Sequence, residues 1–309
     1  MLLFDLFFLL TLAAPELPSD QDVRAVEVVC VPNICEGIVF DHEGYGYISQ
    51  GKFIMRVGGD GKAQQWAETG SPNGHKVLAD GTHLICEAMQ HAVLHLDANG
   101  KTIGKASSEC DGKPLRAPND LTLDPQGGFY FTDPGESDEK KSDGVVHYVD
   151  AKGKAHLVAQ GLAFPNGIVL RPGGKQLLVG ESKQNRILVY EVLSPGRLGP
   201  MRVFANLPSK QGEQIDNQPD GMCLDTKGNL YVAHYGMKQV QVLSPQGKLI
   251  RRYQGGNLTT TNVAFGGPNM NQLYVTGALG GEQSEGALFR LDLKGVRGLV
   301  ILPKKQAHK

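Results

Sequence analysis

Six times along this chain a short apolar run, a Gly-containing turn and a second apolar run recur, and each copy opens on a residue with a side-chain oxygen. The copies are "EGIVFDHEGYGYIS" from Glu36, "NGHKVLADGTHLICE" from Asn73, "NDLTLDPQGGFYFTD" from Asn119, "NGIVLRPGGKQLLVGE" from Asn166, "DGMCLDTKGNLYVAH" from Asp220 and "NVAFGGPNMNQLYVTG" from Asn262. Their openings are separated by 37, 46, 47, 54 and 42 residues, close to the roughly 40–50 residues of one four-stranded propeller blade. Runs rich in Val, Leu, Ile, Tyr and Phe between Gly, Pro, Asn and Asp clusters read as strands, and helical periodicity is absent after residue 20. The spacing therefore predicts an all-β fold, a six-bladed β-propeller of four-stranded blades around a central channel.

In this reading each copy supplies the two inner strands of a blade. The outer pairs are "GVVHYVD" with "KAHLVAQ", "RILVYEV" with "MRVFANL", and "QVQVLSP" with "LIRRYQG" for blades three, four and five. A ring must tie its last blade to its first. "VRAVEVVCV" (23–31) is expected to close blade six, with "VRGLVIL" (296–302) as the competing closer. The propeller domain is placed at 21–303, followed by a basic tail at 304–309.

Hydrophobic residues are 40% of the 309, charged residues 20%, and 31 Lys+Arg stand against 32 Asp+Glu. That balance, without a basic run beyond the tail, excludes the electrostatic footprint of a nucleic-acid binder and points to a small or neutral ligand. Residues 1–20 read as a signal peptide or an apolar N-terminal segment: "MLLFDLFFLLTLAA" is too short to span a bilayer, so no membrane span is expected. Cleaved, it implies a periplasmic or secreted protein; retained, a cytoplasmic one. The five cysteines form no CxxC pair. Cys30 and Cys35 could pair in an exported protein, but buried inert thiols are the expectation.

The innermost strand of a blade starts at one face of the ring, so Glu36, Asn73, Asn119, Asn166, Asp220 and Asn262 should face the channel. Asn or Asp before Gly is also an ordinary turn signal, and "QPDGMCLD" around Asp220 reads first as a turn. A turn does not explain two carboxylates in one confined channel, where like charges are costly unless something positive balances them. No other opening position carries Lys or Arg. Either a divalent cation held by oxygen ligands or a water-filled polar channel fits. The oxygen set suits Ca²⁺ first, with Mg²⁺, Mn²⁺, Zn²⁺ or Fe²⁺ as alternatives. Residues ending the second strand, Glu87, Asp133, Glu181 and His234, should ring the mouth as supports for the channel residues or as substrate contacts. His91 and His75 lie nearby in sequence, and a lone His is more often structural than catalytic.

"CEGIVFD", "RAPNDLTLDPQGGFYFTDP", "FPNGIVL" and "QPDGMCLDTKGNLYVAHYG" together resemble the gluconolactonase, or senescence-marker-protein-30, family, which includes regucalcin-like sugar lactonases. The resemblance covers about residues 30 to 290 and implies one divalent cation bound by Glu36, Asn166 and Asp220, with Asn119 reaching it through water or touching the substrate. It also implies hydrolysis of a lactone, with Asp220 as catalytic acid/base. The Arg that contacts the sugar in animal members is replaced by Ala117, and Arg116 stands one position earlier. The expected mechanism has the cation polarise the lactone carbonyl while Asp220 takes a proton from water and returns it to the ring oxygen. Asn119 is expected at the oxyanion, and Asn73, Arg116 or His234 at the sugar. No GxSxG elbow is present. The alternatives are a paraoxonase-like arylesterase with a broader lactone range and a non-catalytic binding platform.

Overall fold

Five hairpins of this chain share one device, Asp-x-x-Gly, at Asp41, Asp97, Asp124, Asp150 and Asp225. Each of these Asp carbonyls accepts from the amide of the Gly three residues on, at 2.9–3.2 Å. The closing Gly residues (44, 100, 127, 153, 228) all adopt φ of 80–92°, which a side chain would oppose. The Asp carboxylates accept from the backbone inside the same turn, as Asp225 does from the amides of Lys227 and Asn229 at 2.9 Å. Local chemistry thus sets where strands reverse, and the apolar runs between turns become antiparallel strands.

The computed structural model describes residues 16–209 and 217–299. It is a six-bladed β-propeller. Blade one is Cys35–Phe40, Gly46–Gln50, Phe53–Val57 and Ala63–Glu68, and blade two Pro72–Val77, His83–Glu87, Ala92–Leu96 and Thr102–Ser107. Blade three is Leu121–Leu123, Phe129–Asp133, Gly144–Val149 and Ala155–Leu162; blade four is Pro165–Leu170, Gln176–Glu181, Arg186–Ser194 and Arg202–Asn206. Blade five is Gln218–Leu224, Leu230–Tyr235, Gln239–Leu243 and Leu249–Gln254. Blade six is Thr259–Gly266, Gln272–Ala278 and Gly286–Asp292, completed by Ala25–Val31 from the start of the domain, with Ala25 opposite Leu291 and Val31 opposite Gly286.

The expected closer is therefore the one observed, and the expected outer pairs of blades three to five are those seen. The competing segment is used elsewhere: Gly298 bridges Asp225, and Leu299 donates its amide to the Leu224 carbonyl at the base of blade five. Residues 300–302 of that segment, the apolar segment 1–14 and the tail 304–309 lie outside the described residues. Among the described residues no helix is long and apolar enough to cross a membrane.

There is no single core. Six apolar clusters fill the six gaps between neighbouring blades; Val39, Tyr47, Val77 and Ile85 pack blade one on two, and Tyr231, Val263, Phe265 and Val275 pack blade five on six. Inner strands are buried on both faces, so "HLICE" and "FYFTD" are buried at every position and do not alternate apolar with polar. The outermost strand of blade two, by contrast, is largely exposed. All five cysteines are free: Cys30 is exposed, and buried Cys35 points its thiol at the Gly277 and Ala287 carbonyls, 3.4 Å from each, so the two do not pair.

Candidate active site

The six opening residues do converge, and one local device brings them together. In blades one, two, four, five and six the first strand carries a register shift at or just before the opening residue, as between Pro219 and Met222. This is a β-bulge, which re-aims a side chain without ending the strand. "QPDGMCLD" is accordingly not a turn. Gln218–Leu224 is continuous strand, and Gly221 is not among the positive-φ glycines. Its Gly has a different purpose: a Cβ there would stand 2.1 Å from the Asn262 side chain.

That close approach repeats around the ring. A Cβ on Gly37 would meet the Asn73 carbonyl oxygen at 2.0 Å, one on Gly74 the Asn119 oxygen at 2.7 Å, and one on Gly167 the Asp220 oxygen at 2.1 Å. Thr132 Oγ1 donates to the Asn166 carbonyl and Thr261 Oγ1 to the Cys35 carbonyl, both at 2.7 Å, closing the circle through blades three, four, six and one. The Gly after four of the six opening residues is thus a seat for the next blade, and the ring of oxygens is rigid because its backbone is interlocked.

The electrostatics of the ring are severe. Burial, then the charge of Asp120, pushes the Glu36 carboxyl up to about 8, against the opposing Thr261 hydroxyl. Asp220 is held well above the carboxylate range by burial and by Glu36 and Asp120, with the Asn166 amide opposing. Asp120 is also raised by burial, and Lys76 opposes that shift from 3.7 Å. Two acceptor atoms, Glu36 Oε2 and Asn119 Oδ1, are shut away from solvent with no partner. Buried acceptors of this kind call for a donor or a cation. Among the described residues no three His, Cys, Asp or Glu side chains form a ligand cluster; the available set is mixed, two carboxylates with amide oxygens.

Asp120 and Lys76 are not singled out by the sequence pattern. A signal for Asp120 is present: four other openings are followed by Gly, whereas Asn119 is followed by Asp. Lys76 lies three residues past its opening, on the face of blade two toward blade three, opposite His75. Tyr235 also escapes the pattern. Its hydroxyl donates to Glu282 Oε1 of blade six at 2.9 Å, and it lies in the field of Asp220 and Glu36.

The residues ending the second strands have as hydrogen-bond partners loop amides and neighbouring side chains rather than the six openings. Glu87 accepts from the Ser71 and Gln90 amides, Asp133 from those of Arg116 and Ala117, and Glu181 from the Ala163 amide at 2.9 Å and Arg186 Nε at 2.5 Å. In each case a buried carboxylate fixes the loop entering the first strand of its own blade. His234 is fully buried, with Nε2 2.9 Å from Asn185 Oδ1 and Nδ1 3.1 Å from Gln241 Nε2, so it bolts blade five to four and has no nitrogen left for a sugar. Burial lowers it to about 4. The Arg116 guanidinium is committed to the Asp133 and Asp143 carbonyls and the Asp143 carboxylate. His91 faces the Arg116 carbonyl, and His75 is buried against His83, at 2.7 Å, and Trp66. Asn73 and Asn119 are half-buried in the ring, the geometry that leaves them available to a ligand.

Residues 36–279 match the model of the SMP-30/gluconolactonase/LRE-like region. The gluconolactonase of Zymomonas mobilis is 30% identical over 216 residues, 66% of this chain and 60% of its own length, so the chain spans less than two thirds of that relative. The lactonase drp35 of Staphylococcus saprophyticus is 31% identical over 262 residues, 78% of this chain and 77% of its own. A solved calcium-binding protein, regucalcin from Agrobacterium tumefaciens, superposes with a TM-score of 0.76 at 21% identity, covering 92% of this chain and 98% of that one; at that identity the likeness is one of fold. With its repeat, its interlocked ring and these matches together, the chain belongs to the SMP-30/gluconolactonase/LRE-like family.

Proposed function

We propose that this protein hydrolyses a lactone to its hydroxy acid, with sugar lactones as the substrate class, and that its ring of oxygens holds one divalent cation. The observation that carries the reading is the pair of carboxylates Glu36 and Asp220, both raised by burial and by Asp120, with Glu36 raising Asp220 further, beside the unpartnered acceptors Glu36 Oε2 and Asn119 Oδ1. Glu36, Asn166 and Asp220 are the residues that would hold the ion. An all-oxygen set of carboxylates and amides suits a hard cation, Ca²⁺ first and Mg²⁺ or Mn²⁺ next. The family relatives named for gluconolactone and lactone hydrolysis, and the calcium-binding fold relative, support the same reading.

When bound, the cation supplies Lewis-acid polarisation of the lactone carbonyl. The remaining work falls to the chain. Asp220 takes a proton from the attacking water as the oxygen–carbon bond forms, and returns it to the ring oxygen as the ester bond breaks, leaving acid and alcohol on one molecule. Asn119 presents an amide to the developing oxyanion. The interlocked backbone costs no reorganisation during the reaction. Arg116, held by the Asp133 and Asp143 carbonyls and the Asp143 carboxylate, leaves sugar recognition to Asn73, Asn119 and the Tyr235–Glu282 pair.

Acid release from gluconolactone and xylonolactone, compared with phenyl acetate and corrected for spontaneous hydrolysis, tests the substrate class. The lactones are expected to exceed the aryl ester by about 10⁴-fold or more in kcat/KM, the scale on which a polar site rejects an analogue lacking its hydroxyls. A reversed preference identifies an arylesterase, and no turnover of any of the three a binding platform.

A further inference from the structure

We infer that Lys76 sets the net charge of the oxygen ring and thereby its preference for a divalent over a trivalent cation, a role that rests on the cation-binding reading above. The ring contains three acids rather than two. Glu36 and Asp220 are joined by Asp120, whose charge acts on both and whose side chain is 3% exposed. Asp120 occupies the place that Gly holds after Glu36, Asn73, Asn166 and Asp220, so blade three brings an extra negative charge to the ring. Lys76 is the basic group placed against it, Nζ to Asp120 Oδ1 at 3.7 Å, its side chain 22% exposed.

Three carboxylates and one ammonium leave a charge of −2, which a divalent ion neutralises. Without Lys76 the same ring carries −3. The surroundings make this arithmetic count. Below the ring the channel widens into a cavity of about 800 Å³, and Ile38, Ile168, Met222 and Ala264 line it with Lys76. The charged groups themselves are largely withdrawn from solvent, Asp120 most of all, so each unit of charge is felt by the others. The Lys76 stem lies along this apolar lining while its ammonium turns to Asp120, the usual division of labour in a long basic side chain.

Binding of Tb³⁺, followed by its luminescence, and of Ca²⁺ by competition, gives an affinity ratio that does not depend on turnover. Relative to wild type, Lys76→Met is expected to move that ratio at least tenfold toward Tb³⁺, and Lys76→Arg to leave it within threefold. Lys76→Met/Asp120→Asn removes one charge of each sign and is expected to restore the wild-type ratio, which a packing role for Lys76 does not predict. If Lys76→Met does not fold, Asp120→Asn alone, at −1, must shift the ratio toward Ca²⁺. An unchanged ratio in a wild-type-like Lys76→Met protein, or an unrestored ratio in the double variant, overturns the role of Lys76 and leaves the cation site standing. Failure of the wild-type protein to bind either ion overturns both.

Discussion

Asp220→Asn is expected to move activity and stability in opposite directions. Lactone hydrolysis falls by about 10³-fold in kcat/KM, the scale of losing a positioned acid/base, because an amide neither takes a proton from water nor completes the ligand charge. The metal-free variant, however, is expected to unfold at a higher temperature than metal-free wild type. Asp220 is buried and raised by two neighbouring acids, so in the absence of a cation its charge opposes folding. An isosteric neutral side chain removes that cost and can still bond Asn166. A gain of about 1–2 kcal/mol is typical of relieving a functional site's strain. Calorimetry of chelator-treated samples, with Ca²⁺ added back in parallel, reads both effects. A wild-type protein that gains stability from Ca²⁺ while the variant does not is the expected pattern, and equal melting of the two apo proteins contradicts the electrostatic account.

Gly167→Ala is expected to cost about 3 kcal/mol or more, the upper range for overpacking, although it adds one methyl group. The new Cβ would stand 2.1 Å from the Asp220 carbonyl oxygen and 3.0 Å from the Gly221 Cα. Both are backbone atoms of the next blade, so nothing flexible can yield. Relief requires blades four and five to part, which displaces Asp220 from the ring and takes activity with it. Gly104→Ala is the control, since a Cβ there would meet nothing within 4 Å and its strand is on the outside of blade two; it should change stability by less than about 0.5 kcal/mol. Urea unfolding of the two variants separates a ring-specific effect from a general intolerance of substitution at glycine. Similar midpoints for both would mean that the blades are not interlocked as described.

The repeat makes the architecture legible because each blade has to meet the same local demands: a tight Gly-containing reversal, two doubly buried inner strands and an oxygen-bearing opening residue. Glu36, Asn166 and Asp220 are legible for that reason. The meaning of the following Gly is not. "NG" and "DG" read from sequence as turns, and only the neighbouring blade's carbonyl, far away in the chain, shows that Gly167 is required by packing. The same limit hides Lys76. Strand residues past the opening face neighbouring blades on either side, so His75 goes to Trp66 of blade one and Lys76 to Asp120 of blade three. Two acids and no base give a charge of −2 from sequence, the same total that three acids and one base give in the folded ring. Glu87, Asp133, Glu181 and His234 mislead because a polar residue at a strand end looks the same in sequence whether it faces a ligand or fastens a loop.

The proposed dependence of hydrolysis on one divalent cation in the interlocked ring is tested most directly by stripping the protein with chelator, titrating it with Ca²⁺ and following acid release from gluconolactone by pH-stat with the spontaneous rate subtracted. Activity is expected to vanish on stripping and to return in full at one equivalent per chain, while Asp220→Asn stays at background at every concentration. Full hydrolysis by the stripped protein, with no Ca²⁺, Mg²⁺ or Mn²⁺ changing its rate, would contradict it.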